Sequence, residues 1–276
     1  MGLKADLEEK VNGDVILIDT SVITPHENTQ FATLLYEGLA CFETLDLELI
    51  TRRFERLQEL SRLIDAQEVI TIPQVCTEIR YHLKTLNDRQ LHLTSELREY
   101  IQEYPDDEIQ YYRSVLDCIT SYNVALFRFI KKLQACSKTP GTYDEQAKYN
   151  DFMDIAREKS FDLMLDKRRA KEERGGRVNL GEKLETDRHL VATAFVRAYT
   201  QPVTLLTRDN GIEILTGRVY EELIHDNVPL SPHASKFSIP EHTINVHIAS
   251  EKKDTRASSV KIQKSSVVNS KKNSNP

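Results

Sequence analysis

Apolar and polar positions along this chain follow different rhythms, and each rhythm predicts its own kind of element. Residues 14–19 (Asp-Val-Ile-Leu-Ile-Asp) form a short, unbroken aliphatic run that stops at a carboxylate. Such a run reads as a fully buried strand. From about 28 to 65 the spacing becomes helical. Phe31, Leu34, Leu35 and Leu39 make one stripe, and Ile50, Phe54, Leu57, Leu60 and Ile64 another, so the pattern predicts two helices with a break near Asp46. Val69-Ile70-Thr71-Ile72 reads as a second buried strand, and Pro73 suits the first turn of a following helix.

From Pro73 to about Lys171 the spacing stays helical. Val75, Ile79, Leu83 and Leu86 line one helix, and Ile109, Tyr112, Leu116, Ile119, Leu126, Ile130 and Leu133 a second. Phe152, Ile155, Ala156 and Leu163 begin a third, after a turn at Thr139-Pro140-Gly141. The strand rhythm then returns. A helix is predicted from Thr186 to Tyr199, a buried strand over Val203–Thr207, a short helix through Val219–Ile224 and an edge strand over Thr243–Ile248. Strands alternating with helices imply an α/β fold with a mostly parallel sheet of four or five strands covered on both faces. The all-helical stretch, about 82–175, reads as an insertion into that domain. No internal repeat is visible.

Composition narrows the class of protein. Charged residues are 29% of the chain, above the globular average of about 25%. The longest aliphatic run near the start, Val15–Ile18, is far short of the ~20 residues of a membrane span. Met1-Gly2 opens like a myristoylation signal, but Asp6 stands where Ser or Thr is required. Cys41, Cys76, Cys118 and Cys136 show no zinc or CxxC spacing and read as small apolar residues in a reducing compartment. The expectation is a cytoplasmic protein, neither exported nor membrane-anchored. The net charge of −6 is uneven: residues 251–276 hold seven Lys and Arg against two acids, so this segment carries +5 and the remainder −11. Its Ser, Asn and Lys cannot offset ordering entropy by burial, so a disordered basic tail is predicted after a domain spanning 1–250. The acidic body argues against a broad non-specific nucleic-acid surface, but not against a small acidic site.

The chemistry lies in that acidity. Two predicted strands end in carboxylates, Asp19 and, after Thr207-Arg208, Asp209. Ligands of open parallel sheets bind at the carboxyl ends of strands, which puts both acids on one rim. Asp187 stands at a helix start behind Thr186, a candidate cap, where the helix dipole favours the ionised form. Glu78 lies in the helix that starts from the same rim after the second strand. Four converging carboxylates repel one another unless a hard divalent cation, Mg²⁺ or Mn²⁺, takes their oxygens. Each acid also has an ordinary alternative. Asp19 can be a cap or turn residue, Glu78 a solvated helix residue, Asp187 a first-turn dipole acid, and Asp209 the head of an Asp-Asn-Gly turn.

Taken in order, these pieces resemble the PIN-domain nucleases. The resemblance rests on Ile18-Asp19-Thr20-Ser21, on Glu78 within Val75-Cys76-Thr77-Glu78-Ile79, and on Asp187 heading Asp187-Arg188-His189-Leu190-Val191-Ala192-Thr193-Ala194. It closes on Leu206-Thr207-Arg208-Asp209 followed by Ile212. It covers roughly 14–80 and 184–226; the intervening helices and the tail lie outside it. It implies a three-layer α/β/α domain and Mg²⁺- or Mn²⁺-dependent hydrolysis of RNA by an endonuclease. Asp19, Glu78, Asp187 and Asp209 would hold the metal, and Ser21 and Thr207 would orient carboxylates or water.

The basic, glycine-hinged stretch containing Arg168, Arg169, Arg174 and Arg177 is a candidate clamp for the RNA backbone, or else a solvated helix end. Arg188 and Arg208 either contact phosphate or pair with surface carboxylates. His189 is a proton shuttle or a plain polar helix residue. Two other classes remain: an inert PIN-like module that binds RNA or protein, and a structure-specific DNA nuclease. A protein inhibitor or a homo-oligomer is a further candidate partner. Other catalytic patterns are excluded. Gly176-x₄-Gly181 is followed by Glu182-Lys183, which displaces the lysine of a phosphate-binding loop, and no HExxH, GxSxG or GxGxxG occurs. Ser21 stands where a haloacid-dehalogenase-type phosphatase needs a second Asp.

Overall fold

The computed structural model describes residues 14–24, 47–100, 106–172, 184–224 and 240–248. Strand β1 (Val15–Ile18) runs into the one-turn helix α1 (Thr20–Ile23). Helix α2 (Leu47–Ala66) leads to strand β2 (Val69–Ile70). Three long helices follow, α3 (Pro73–Tyr100), α4 (Asp106–Ala135) and α5 (Tyr143–Glu172). The chain closes with α6 (Leu184–Arg197), β3 (Val203–Thr207), α7 (Asn210–Ile224) and β4 (Ile244–Ile248). The four strands form one sheet in the order β2-β1-β3-β4, every pair parallel.

The unbroken apolar runs of β1 and β3 are what a parallel sheet covered on both faces requires. All four side chains of β1 are at most 1% exposed, and burying each Val, Ile or Leu contributes about 1.5–3 kcal/mol. The two strands pair from Val15↔Val203 to Ile18↔Leu206. At the edge, β4 buries Ile244 and Val246 and leaves Asn245 and His247 half-exposed, the alternation of a strand with one covered face.

The helix predicted at Thr186–Tyr199 lies at Leu184–Arg197, and two other shifted boundaries have a visible cause. Strand β2 stops after two residues, because Thr71 turns to pair with the segment after α4: its N–H donates to the Cys136 carbonyl at 3.2 Å, and Lys138 N–H donates back at 2.9 Å. Helix α7 begins at Asn210 rather than near Val219. Asp209 caps it, its carboxylate accepting from Gly211 N–H at 2.6 Å and its carbonyl from Ile212 N–H at 3.1 Å. The first predicted helix, the basic stretch from 173 onward and the tail lie outside the described residues.

The helical stretch is not a separate lobe. Helix α4 packs on α2 and α3, and α5 packs on α6 and α7. One continuous buried cluster runs from Leu17 in the sheet through Ile79 and Tyr122 to Phe152 and Phe195. Phe152 of α5 is fully buried, its ring stacked on Phe195 of α6 with centroids 5.1 Å apart. Phe152→Ala is therefore expected to destabilise the whole molecule by about 3–5 kcal/mol. In urea titrations followed by circular dichroism, the wild type and this variant should each unfold in a single transition. A second, unshifted transition would mean that the sheet and the long helices fold independently.

Candidate active site

Strands β1 and β3 are neighbours, yet their next connections leave in opposite directions, to β2 on one side and β4 on the other. Such a switch point opens a crevice at the carboxyl ends of the two strands, where α/β proteins bind ligands. Asp19 sits there, 4% exposed, its backbone N–H donating to the Leu206 carbonyl at 3.0 Å. One carboxylate oxygen, Oδ2, accepts from the Thr207 hydroxyl at 2.8 Å and from the Ser21 hydroxyl. The Ser21 hydroxyl also accepts from Arg208 N–H at 2.9 Å, and the Thr207 hydroxyl from Asp209 N–H at 2.9 Å. A knot of hydroxyls thus ties the two strand ends through one carboxylate. Burial pushes the Asp19 carboxyl above its usual range; the Ser21 and Thr207 bonds oppose that, and the nearby Glu78 charge adds to it.

Glu78 approaches from α3. Its two oxygens accept from two threonine hydroxyls, Oε2 from Thr20 and Oε1 from Thr186. Thr20 directly follows Asp19 and Thr186 directly precedes Asp187, so Glu78 joins the first and third acidic segments. Thr186, expected as a helix cap, spends its hydroxyl on Glu78 instead. Asp187 lies in the first turn of α6, 8% exposed, where the helix dipole favours a negative charge. Asp209 shares the rim, but its carboxylate caps α7, the ordinary role open to it from the sequence.

Among the described residues no three His, Cys, Asp or Glu side chains close on one point as a ligand shell. The donors nonetheless suit a hard divalent cation in kind, being oxygens throughout, with Asp19 buried and repelled by Glu78. Each Glu78 oxygen accepts one threonine hydroxyl and keeps a second lone pair that a cation drawing in Asp19, Glu78 and Asp187 could take.

The flanking cations are already engaged. Arg188 Nη1 donates to Glu185 at 2.8 Å and its Nε to the Ser160 hydroxyl at 2.7 Å, so it pairs with a carboxylate and ties α6 to α5. His189 hydrogen-bonds the Tyr149 hydroxyl through Nδ1 and has Nε2 3.3 Å from Glu185. It is a second tie between the same helices, its pKa lowered by burial against the pull of Glu185. The charges of Arg208 and Arg53 both act on Tyr122 of α4, whose fully buried phenol is pushed up to about 12 chiefly by burial. Arg53, 4% exposed, also adds to the burial that brings His82 down to about 4, so this imidazole is neutral at physiological pH. Arg168 and Arg169 fall in the last turns of α5; their side chains, like Arg174 and Arg177, lie outside the described residues.

Sequence reasoning missed the Thr20 and Thr186 bonds to Glu78 and the burial of Arg53. The available signal was a hydroxyl adjacent to each acid, in Asp19-Thr20 and Thr186-Asp187. The described residues define an α/β protein with an all-parallel four-stranded sheet and a buried acid, Asp19, at its switch point. No family model, curated protein or solved structure matches the chain.

A carboxyl whose pKa is raised by folding binds its proton more tightly in the native state. Ionised Asp19 therefore destabilises the fold above the raised value, and the penalty disappears as pH falls through it. Asp19→Asn keeps an oxygen to accept the Ser21 and Thr207 hydroxyls. In chelator it is expected to melt above the wild type at pH 7.5, with the gap shrinking toward pH 5. Thermal melts across that range check this, and a gap that widens in acid would contradict it.

Proposed function

We infer that this protein is a metal-dependent ribonuclease, an endonuclease of the PIN-like, three-layer kind, working in the cytoplasm. One observation carries the reading: a single glutamate, Glu78, joins segments 58 and 108 residues away in sequence, each bearing an acid next to the bonded threonine. Supporting it, Asp19 is buried with hydroxyls and backbone, not a cation, as its bonding partners. Perturbed carboxyls at a strand-end crevice are characteristic of working sites. Asp19, Glu78 and Asp187 would hold Mg²⁺ or Mn²⁺, with Asp209 acting through water. The metal would supply charge neutralisation at the phosphate and a more acidic bound water. Ser21 and Thr207 hold the Asp19 carboxylate in one orientation before any metal arrives. Arg168, Arg169, Arg174 and Arg177 would form a basic lip for the RNA backbone upstream of Asp187. The free thiols of Cys76, Cys118 and Cys136 suit a reducing compartment, and no described helix is long and apolar enough to cross a membrane.

A second reading has its own support. Both Glu78 oxygens are occupied by threonines and Asp209 serves as a cap, the arrangement of an inert RNA- or protein-binding module. Incubation with single-stranded RNA and with DNA substrates in Mn²⁺ separates the readings. The wild type should cut RNA and the Asp19→Asn/Asp187→Asn variant should not. Ser21→Ala is expected to lose about 10–100-fold in activity or metal affinity, as is usual when a ligand's orienting partner is removed. Mn²⁺ should also raise the wild-type melting temperature, by the equivalent of about 2.7 kcal/mol at a hundredfold excess over Kd, and leave the double variant unmoved. Metal-independent cleavage, or none in any metal, would refute the ribonuclease reading; cleavage of DNA alone would favour the DNA nuclease.

A further inference from the structure

Beyond Glu78 one row of α3, taken at three-residue steps, stays exposed as the helix leaves the rim, while His82 and Thr85 beside it are half-buried. Thr77, Glu78, Tyr81 and Lys84 are all exposed, whereas Val75, Ile79 and Leu86 turn into the core. Tyr81 is 73% exposed, a large aromatic ring contributing little to packing. Residues three apart on a helix have Cβ atoms about 5–6 Å from each other, so the side chains of Glu78, Tyr81 and Lys84 leave the helix as successive neighbours. An acid, an aromatic face and a cation therefore follow one another along a single ridge. Proteins bind single-stranded nucleic acid with just such components: an aromatic face for a base, and a lysine for the phosphate next to it. In a duplex the base faces are stacked on each other and out of reach of such a ring.

We propose that this ridge of α3 is the entry track for single-stranded RNA, with an unpaired base stacked on Tyr81 and a flanking phosphate held by Lys84. The backbone then continues toward the acid rim. This rests on the ribonuclease reading for its direction of travel.

The chain contains no tryptophan, so Tyr81→Trp introduces a lone indole reporter. In the Asp19→Asn/Asp187→Asn background, which lowers the negative charge of the rim and is expected not to cut, a single-stranded oligoribonucleotide should quench that indole. The same sequence as a duplex should not. In the same background Tyr81→Ala should weaken single-strand binding about 5- to 150-fold, the equivalent of one stacked base. Tyr81→Phe should bind like the parent, and Lys84→Ala should reduce the log–log salt slope by roughly 0.7. Absence of single-strand binding, equal quenching by duplex, or undiminished binding of Tyr81→Ala would each overturn the track. Binding with these signatures by a chain whose wild type cuts nothing would sink the ribonuclease reading and leave the track standing. Mn²⁺-dependent cleavage with no dependence on Tyr81 would do the reverse.

Discussion

The strand-end site depends on a buried carboxylate held by two hydroxyls. Asp19 lies between β1 and α1, where the β1–β3 ladder ends, and among the described residues no backbone hydrogen bond joins the two chain segments beyond that point. Thr207 and Ser21 do so through one oxygen of Asp19, and their own oxygens then accept the N–H groups of Asp209 and Arg208. The direction in which both chains leave the sheet follows from these bonds. So does the placing of Asp209 at the start of α7.

The choice of partner sets this acid apart from several other acids of the same chain. Glu222 is met by Lys159 at 2.7 Å, Glu185 by Arg188 at 2.8 Å, and Asp65 by Lys132. Asp19 and Glu78 are met by serine and threonine hydroxyls. A cation neutralises a carboxylate; a hydroxyl satisfies its lone pairs and leaves the charge in place. Burial then raises the Asp19 pKa despite its hydrogen bonds. A fold that keeps uncancelled negative charge at its switch point gives up stability there, a pattern that accompanies function more often than architecture.

The long helices belong to this arrangement. Helix α3 both delivers Glu78 and begins the stretch that reads in sequence as an insertion. Helix α5 holds α6, and with it Asp187, through Tyr149 on His189, Ser160 on Arg188 and the stack of Phe152 on Phe195. Between α3 and α4 a polar contact, Asn123 to Gln90 at 2.7 Å and Gln90 to Thr120, sets one helix against the other at the margin of their apolar packing. Register of this kind matters because α3 carries the acid at one end and the exposed Tyr81–Lys84 ridge just beyond it.

Much of the fold was legible in the spacing of apolar residues alone. Runs such as Val15–Ile18 and Val203–Thr207 fit strands buried on both sides, as in a covered parallel sheet, and the helical stripes of residues 47–66, 73–100 and 106–135 name their own inward faces. The order Asp19, Glu78, Asp187, Asp209 along strands and helix starts was enough to expect one rim. What local pattern could not carry was partnership. Spacing records which face of an element is buried, not which distant residue meets it. The Thr186 hydroxyl, on a helix start, looks like a cap until Glu78, 108 residues earlier, is folded against it. Thr71 looks like the third residue of a strand until Cys136 and Lys138 take its backbone. Nothing in the local pattern around Arg208 indicates that its charge acts on Tyr122 of α4, 86 residues earlier. Elements and acids were properties of the chain, because hydrophobic period and residue type are local. The pairing of hydroxyl with carboxylate was decided by tertiary structure, because a hydrogen bond needs two groups at one place and only folding puts them there.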